Sequence, residues 1–87
     1  MDAPQKLRFP CDYPIKVVVR SEAGVREAVS IVIERHAGPG AGERVSERPS
    51  AQANFAGLTY LIRASGPEQI EALFVELKQI PGVMLVL

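Results

Sequence analysis

One cysteine, one histidine and five aromatic residues occur among the 87, and neither sign of charge prevails. Each shortage excludes something. Cys11 alone cannot close an internal disulfide or supply a CxxC metal or redox pair, and such cysteine usage suits a reducing compartment. Ten basic residues against ten acidic ones leave no net field to draw in nucleic acid or an anionic membrane, so neither is an expected partner. No run approaches the ~20 apolar residues of a membrane span, and Met1 to Pro10 lacks the apolar stretch of a secretory signal, which predicts a cytoplasmic protein. What is present is globular: 47% hydrophobic and 23% charged residues, in a chain long enough to bury somewhat more than about 60% of its unfolded surface as one domain.

Hydrophobic periodicity orders that domain. Residues 1–12, with charged groups and two prolines, read as an extended arm anchored by Phe9, and 13–87 as the domain itself. From Tyr13 to Val19 the residues alternate as in a strand, with Ile15, Val17 and Val19 on one face and Lys16, Val18 and Arg20 on the other. Val25, Ala28, Val29, Val32 and His36 fall at helical spacing, placing a helix from about Glu22 or Gly24 to Arg35 or His36. The Ala37 to Gly42 stretch follows a helix and lacks a Gly-Lys-Ser/Thr ending, so it reads as a flexible connector and not a phosphate loop. Glu43 to Arg48 reads as a polar edge strand limited by Pro49, then Ser50 to Ala56 as a hairpin-like connection. Leu58, Tyr60, Ile62 and Ala64 alternate along a central strand. A second helix is expected after Ser65, capped by Ser65 and Glu68 with Pro67 in its first turn. Its buried stripe is Ile70, Leu73, Phe74 and Leu77, with Glu71, Glu76, Lys78 and Gln79 facing away. Pro81-Gly82 ends it, and Val83 to Leu87 reads as a last, apolar strand.

The order β-α-β-β-α-β, with right-handed crossovers, predicts an α+β ferredoxin-like sandwich: a four-stranded antiparallel sheet in order 4-1-3-2 with two helices on one face. The opposite face should show Val18, Leu61, Met84 and Val86 among Lys16, Arg20, Thr59 and Arg63, and the fourth strand is an apolar edge of the kind that pairs or is covered. Both features predict a homodimer.

No chemistry-bearing constellation emerges. Outward positions of the central strands carry no aromatic platform for RNA bases, because Tyr60 faces the helices. Arg20, Arg26 and Asn54 are the residue types of an acylphosphatase-like enzyme, but Arg20 to Arg26 lacks most of that family's anion cradle and puts Glu22 where the anion would sit. His36 has no serine or cysteine placed by the sequence as its nucleophile and reads as a core residue at a helix end. No catalytic residue, metal ligand or cofactor is expected. Arg48-Pro49-Ser50 and Asn54 combine a cation, a rigid bend and hydrogen-bonding side chains able to hold a carboxylate or a partner's backbone.

Phe9-Pro10, Tyr13-Pro14-Ile15-Lys16-Val17, His36, Arg48-Pro49-Ser50, Leu58-Thr59 and the ending Pro81-Gly82-Val83-Met84-Leu85-Val86-Leu87 together resemble the YbeD-like family of small bacterial proteins. Ala51, Ala53 and Phe55 depart from that family's Ser, Gly and Tyr. The resemblance implies an ACT-like regulatory-domain fold and gives no catalytic residues; with the open sheet face and fourth-strand edge, the expected role is a non-enzymatic domain that dimerises or docks on a metabolic enzyme. It also implies an alternative, a sensor that binds an amino acid or related metabolite in the loop after the first strand, where Glu22 and Gly24 lie.

Overall fold

The computed structural model describes residues 8–49 and 54–87. Strands β1 (Cys11–Arg20), β2 (Val45–Pro49), β3 (Phe55–Ala64) and β4 (Val83–Val86) and helices α1 (Val25–Ala37) and α2 (Pro67–Lys78) follow the order β1-α1-β2-β3-α2-β4. The sheet is antiparallel in order β2-β3-β1-β4, which is the expected 4-1-3-2 read from its other edge. β1 and β3 pair without interruption from Cys11 opposite Ala64 to Arg20 opposite Phe55. The first strand therefore begins two residues earlier than the alternation alone suggests, and Cys11 and Asp12 belong to it instead of to an arm.

Alternation decides which residues enter the core. Ile15, Val17 and Val19 of β1 and Leu58, Tyr60, Ile62 and Ala64 of β3 are buried and pack with Val29, Val32 and Ile33 of α1 and Leu73 and Leu77 of α2. Each such side chain contributes roughly 1.5–3 kcal/mol before ordering entropy is subtracted. Ile70 and Phe74, expected in the same stripe, are half-buried at its margin. The Tyr60 ring is fully enclosed, and its hydroxyl meets Ser30 Oγ at 2.8 Å. Burial pushes the phenol above its ordinary pKa, against the smaller lowering effect of the Ser30 hydrogen bond.

Three local expectations give way to packing. The stretch before β2 is not a flexible connector: Ala41–Glu43 form a 3-10 turn, and Ala41 and Gly42 are buried against α1. A Cβ on Gly42 would lie 2.8 Å from the Ser30 carbonyl oxygen, so glycine is what lets this turn close on the helix. At α2 the capping box does not form. Gly66 occupies the N-cap, while the Ser65 amide and hydroxyl both donate to Gln69 Oε1, at 2.7 and 3.2 Å. Glu76, expected to face away, is half-buried and accepts a hydrogen bond from Arg35 while contacting His36 Nε2 at 2.7 Å. His36 thus joins the two helices through a carboxylate, and its own carbonyl accepts a 2.8 Å hydrogen bond from Gln69 Nε2.

Candidate functional site

With both helices on one side, the other side of the sheet is left open by the described residues. Side chains that alternate away from the core on β1 (Asp12, Lys16, Val18, Arg20) and β3 (Phe55, Gly57, Thr59, Leu61, Arg63) form this face, joined by Ser46 and Arg48 of β2. Lys16, Arg20, Arg48 and Arg63 are all cations, and Asp12, held by Arg63 at 3.4 Å, is the acid at an outward strand position. Acidic residues gather on the helices instead: Glu27 and Glu34 on α1, and Glu68, Glu71 and Glu76 on α2. Those five glutamates are offset in part by Arg26, Arg35 and Lys78, so zero net charge conceals a basic sheet face more than an acidic helix layer.

Across three strands, Arg48, Gly57 and Val18 stand in register, and Ser46, Thr59 and Lys16 form the next row. The missing side chain at Gly57 leaves a depression of ≈530 Å³ lined by these residues and Phe55. Its polar lining is Lys16, Arg48, Ser46 and Thr59 together with Glu47, whose carboxylate is bound to Arg26 at 2.8 Å.

The second surface is the β4 edge. Met84, Leu85 and Leu87 are exposed by 49%, 50% and 58%, three of the five large apolar side chains that face solvent among the described residues. Val86, expected beside Met84 on the open face, is instead 6% exposed and lies in the core. The register explains the correction. Val19 pairs with Val83 but Val18 with Leu85, so a bulge at Met84 shifts the strand by one residue, turning Leu85 to the open face beside Val18 and Val86 inward beside Val17. Lys16 and Leu87 exchange two backbone hydrogen bonds, of 3.0 and 2.8 Å. The alternation of an antiparallel ladder then turns the Val86 N–H and C=O away from β1, toward the edge.

The residues expected to bind a ligand do not converge on one site. Gly24 is the left-handed N-cap of α1, with φ 89°, and Glu22 is exposed in the same turn, its carbonyl accepting from Val25. The Asn54 carbonyl accepts from the Ser21 amide at 2.9 Å, tying this turn to the start of β3. Arg48 lies apart, on the open face, and Ser50 is outside the described residues. An acylphosphatase-like cradle does not assemble either, because Arg26 is bound to Glu47 at 2.8 Å and Arg20 points to the open face. Among the described residues no group of three or more His, Cys, Asp or Glu is placed to hold a metal ion, and no helix is long and apolar enough to cross a membrane.

This topology is that of ACT-like domains. Solved structures agree: the ACT domain of GTP pyrophosphokinase from Chlorobium tepidum superposes with a TM-score of 0.63 at 17% identity, covering 88% of this chain and 97% of that one. Protein HP0495 from H. pylori gives a TM-score of 0.73 at 15% identity, covering 100% and 94%. Within this class the chain belongs to the family described as Protein of unknown function (DUF493), which matches residues 4–87. Its relatives include UPF0250 proteins of Paraburkholderia phytofirmans, 35% identical over 91% of this chain and 89% of the relative, and of Ectopseudomonas mendocina, 38% identical over 97% and 92%. This is the YbeD-like family.

Proposed function

We propose that the protein is a non-catalytic, cytoplasmic regulatory domain that acts by association, pairing β4 with β4 of a second copy to continue the sheet. The observation that carries this reading is the exposed apolar edge at Met84, Leu85 and Leu87, where the outward-turned peptide groups of Val86 have no ladder partner among the described residues. An edge of this kind is a template for another strand. A second copy suits it best, because an antiparallel β4–β4 contact presents the same apolar patch from both sides, and a chain of zero net charge meets no overall repulsion from itself. The dimer would in turn dock on a metabolic enzyme, a partner class supported by the similar fold carried by a GTP pyrophosphokinase.

Sensing of an amino acid at Glu22 and Gly24 has less support. Neither residue lines the depression at Gly57, and the left-handed N-cap already accounts for Gly24. Static light scattering tests the association reading. At micromolar concentration the expected mass is twice the 9.4 kDa of the chain, and a single-chain mass would overturn the reading.

A further inference from the structure

Glycine at position 57 is not required by the fold. It sits within β3, a central strand, where its register with Val18 and Arg48 is continuous, so it marks no bulge. It is not among the glycines with positive φ, which are Gly24, Gly38, Gly40 and Gly82. A Cβ there would find ordinary contacts, 3.6 Å from Lys16 Cε and 3.7 Å from the Arg48 carbonyl oxygen. Glycine within a strand weakens it, and where neither bulge nor bend explains the residue, the remaining role is to let something approach the backbone closely.

What surrounds Gly57 indicates what approaches. Lys16 and Arg48 flank the depression, and among the described residues neither forms an ion pair, whereas Arg26, Arg35 and Arg63 each have a carboxylate partner. Ser46 and Thr59 add hydroxyl donors, and Val18 and Phe55 add apolar wall. We infer that this depression binds a small organic anion, its carboxylate or phosphate between Lys16 and Arg48 and its apolar body over Gly57 against Val18 and Phe55. Two cations with hydroxyl donors beside them match an anionic head by charge-assisted hydrogen bonding, and the bare glycine backbone gives the body room. No β4 residue lines this depression, so the titration below reads it separately from the proposed pairing.

Phenyl phosphate and benzoate are suitable probes, since they put the two head groups on one apolar body. Titration followed by amide NMR should give saturable shifts centred on Gly57, Lys16 and Arg48 with at least one probe, weakening as salt is raised. Which probe binds more tightly names the head group. Lys16→Gln with Arg48→Gln should weaken binding at least about tenfold, the equivalent of one lost charge-assisted contact. Gly57→Val should fill the depression and abolish the shifts. Gly57→Ala should raise the melting temperature by about 2–6 °C, because removing a strand glycine stabilises where its conformation is ordinary. Absence of saturable shifts with both probes, or unchanged binding in a folded Gly57→Val protein, would overturn the inference.

Discussion

Replacing Gly82 with alanine should cost about 2–5 kcal/mol, a large share of the roughly 5–15 kcal/mol that holds a domain of this kind folded. Gly82 joins α2 to β4 at φ 97°, and its carbonyl accepts the Arg20 amide at 2.8 Å, which starts the β4 pairing. An L side chain in this left-handed region costs about 1–2 kcal/mol by itself. Its Cβ would also lie 2.7 Å from Val25 Cγ2 and 3.2 Å from Cγ1. Val25 is the buried first residue of α1, and a β-branched side chain in a helix has essentially one rotamer, so it cannot turn aside and overpacking adds about 1–3 kcal/mol. Gly24→Ala is the control. That residue has a similar φ of 89°, but a Cβ there meets nothing within 4 Å, so only the conformational cost should appear. Thermal unfolding should show Gly82→Ala lowered by at least about 10 °C and well below Gly24→Ala. Equal losses would mean that the contact with Val25 carries nothing.

Leu85→Glu should dissociate the proposed dimer while leaving the subunit folded. Leu85 is 50% exposed in the single chain and stands beside Val18 on the open side of the β4 edge. A carboxylate there is solvated in the monomer but would be brought toward its symmetry mate in the pair. Removing charge from water without a partner costs several kcal/mol, and each 1.4 kcal/mol is tenfold in affinity, so the dimer should weaken about 100-fold or more. Val75 and Ile31, 59% and 60% exposed on the helices, provide the comparison. Val75→Glu and Ile31→Glu should leave the mass unchanged. A dimer that survives Leu85→Glu but dissociates on Val75→Glu would move the interface to the helix layer.

Much of the fold was legible because polar residues mark phase. Lys16 and Arg20 on either side of Val17 to Val19, and Thr59 and Arg63 among Leu58, Tyr60 and Ile62, show which side of each central strand meets water. Val83 to Leu87 has no polar residue to mark phase, and a bulge at Met84 then reversed the faces of the residues after it, exchanging Val86 for Leu85 on the open side. The packed turn at Ala41 to Glu43 was hidden for another reason: glycine and alanine signal a loop, and only the nearness of Ser30 makes it a tight one. The basic sheet face was legible too, since the outward strand positions hold Lys16, Arg20 and Arg63. Gly57 was not legible because the alternation reads as a strand only from Leu58, three residues after β3 begins at Phe55, and its cationic neighbour Arg48 becomes adjacent only through the β2–β3 register.

Amide hydrogen exchange at Val86 tests the association most directly. Its side chain is in the core, yet the ladder turns its N–H to the outer edge of β4, where no backbone acceptor stands among the described residues. If β4 pairs with a second copy, the Val86 amide should be protected, and the protection should rise with protein concentration and vanish in Leu85→Glu. Exchange of that amide at the rate of an open edge, at a concentration where Val17 and Leu58 amides remain protected, would contradict the pairing.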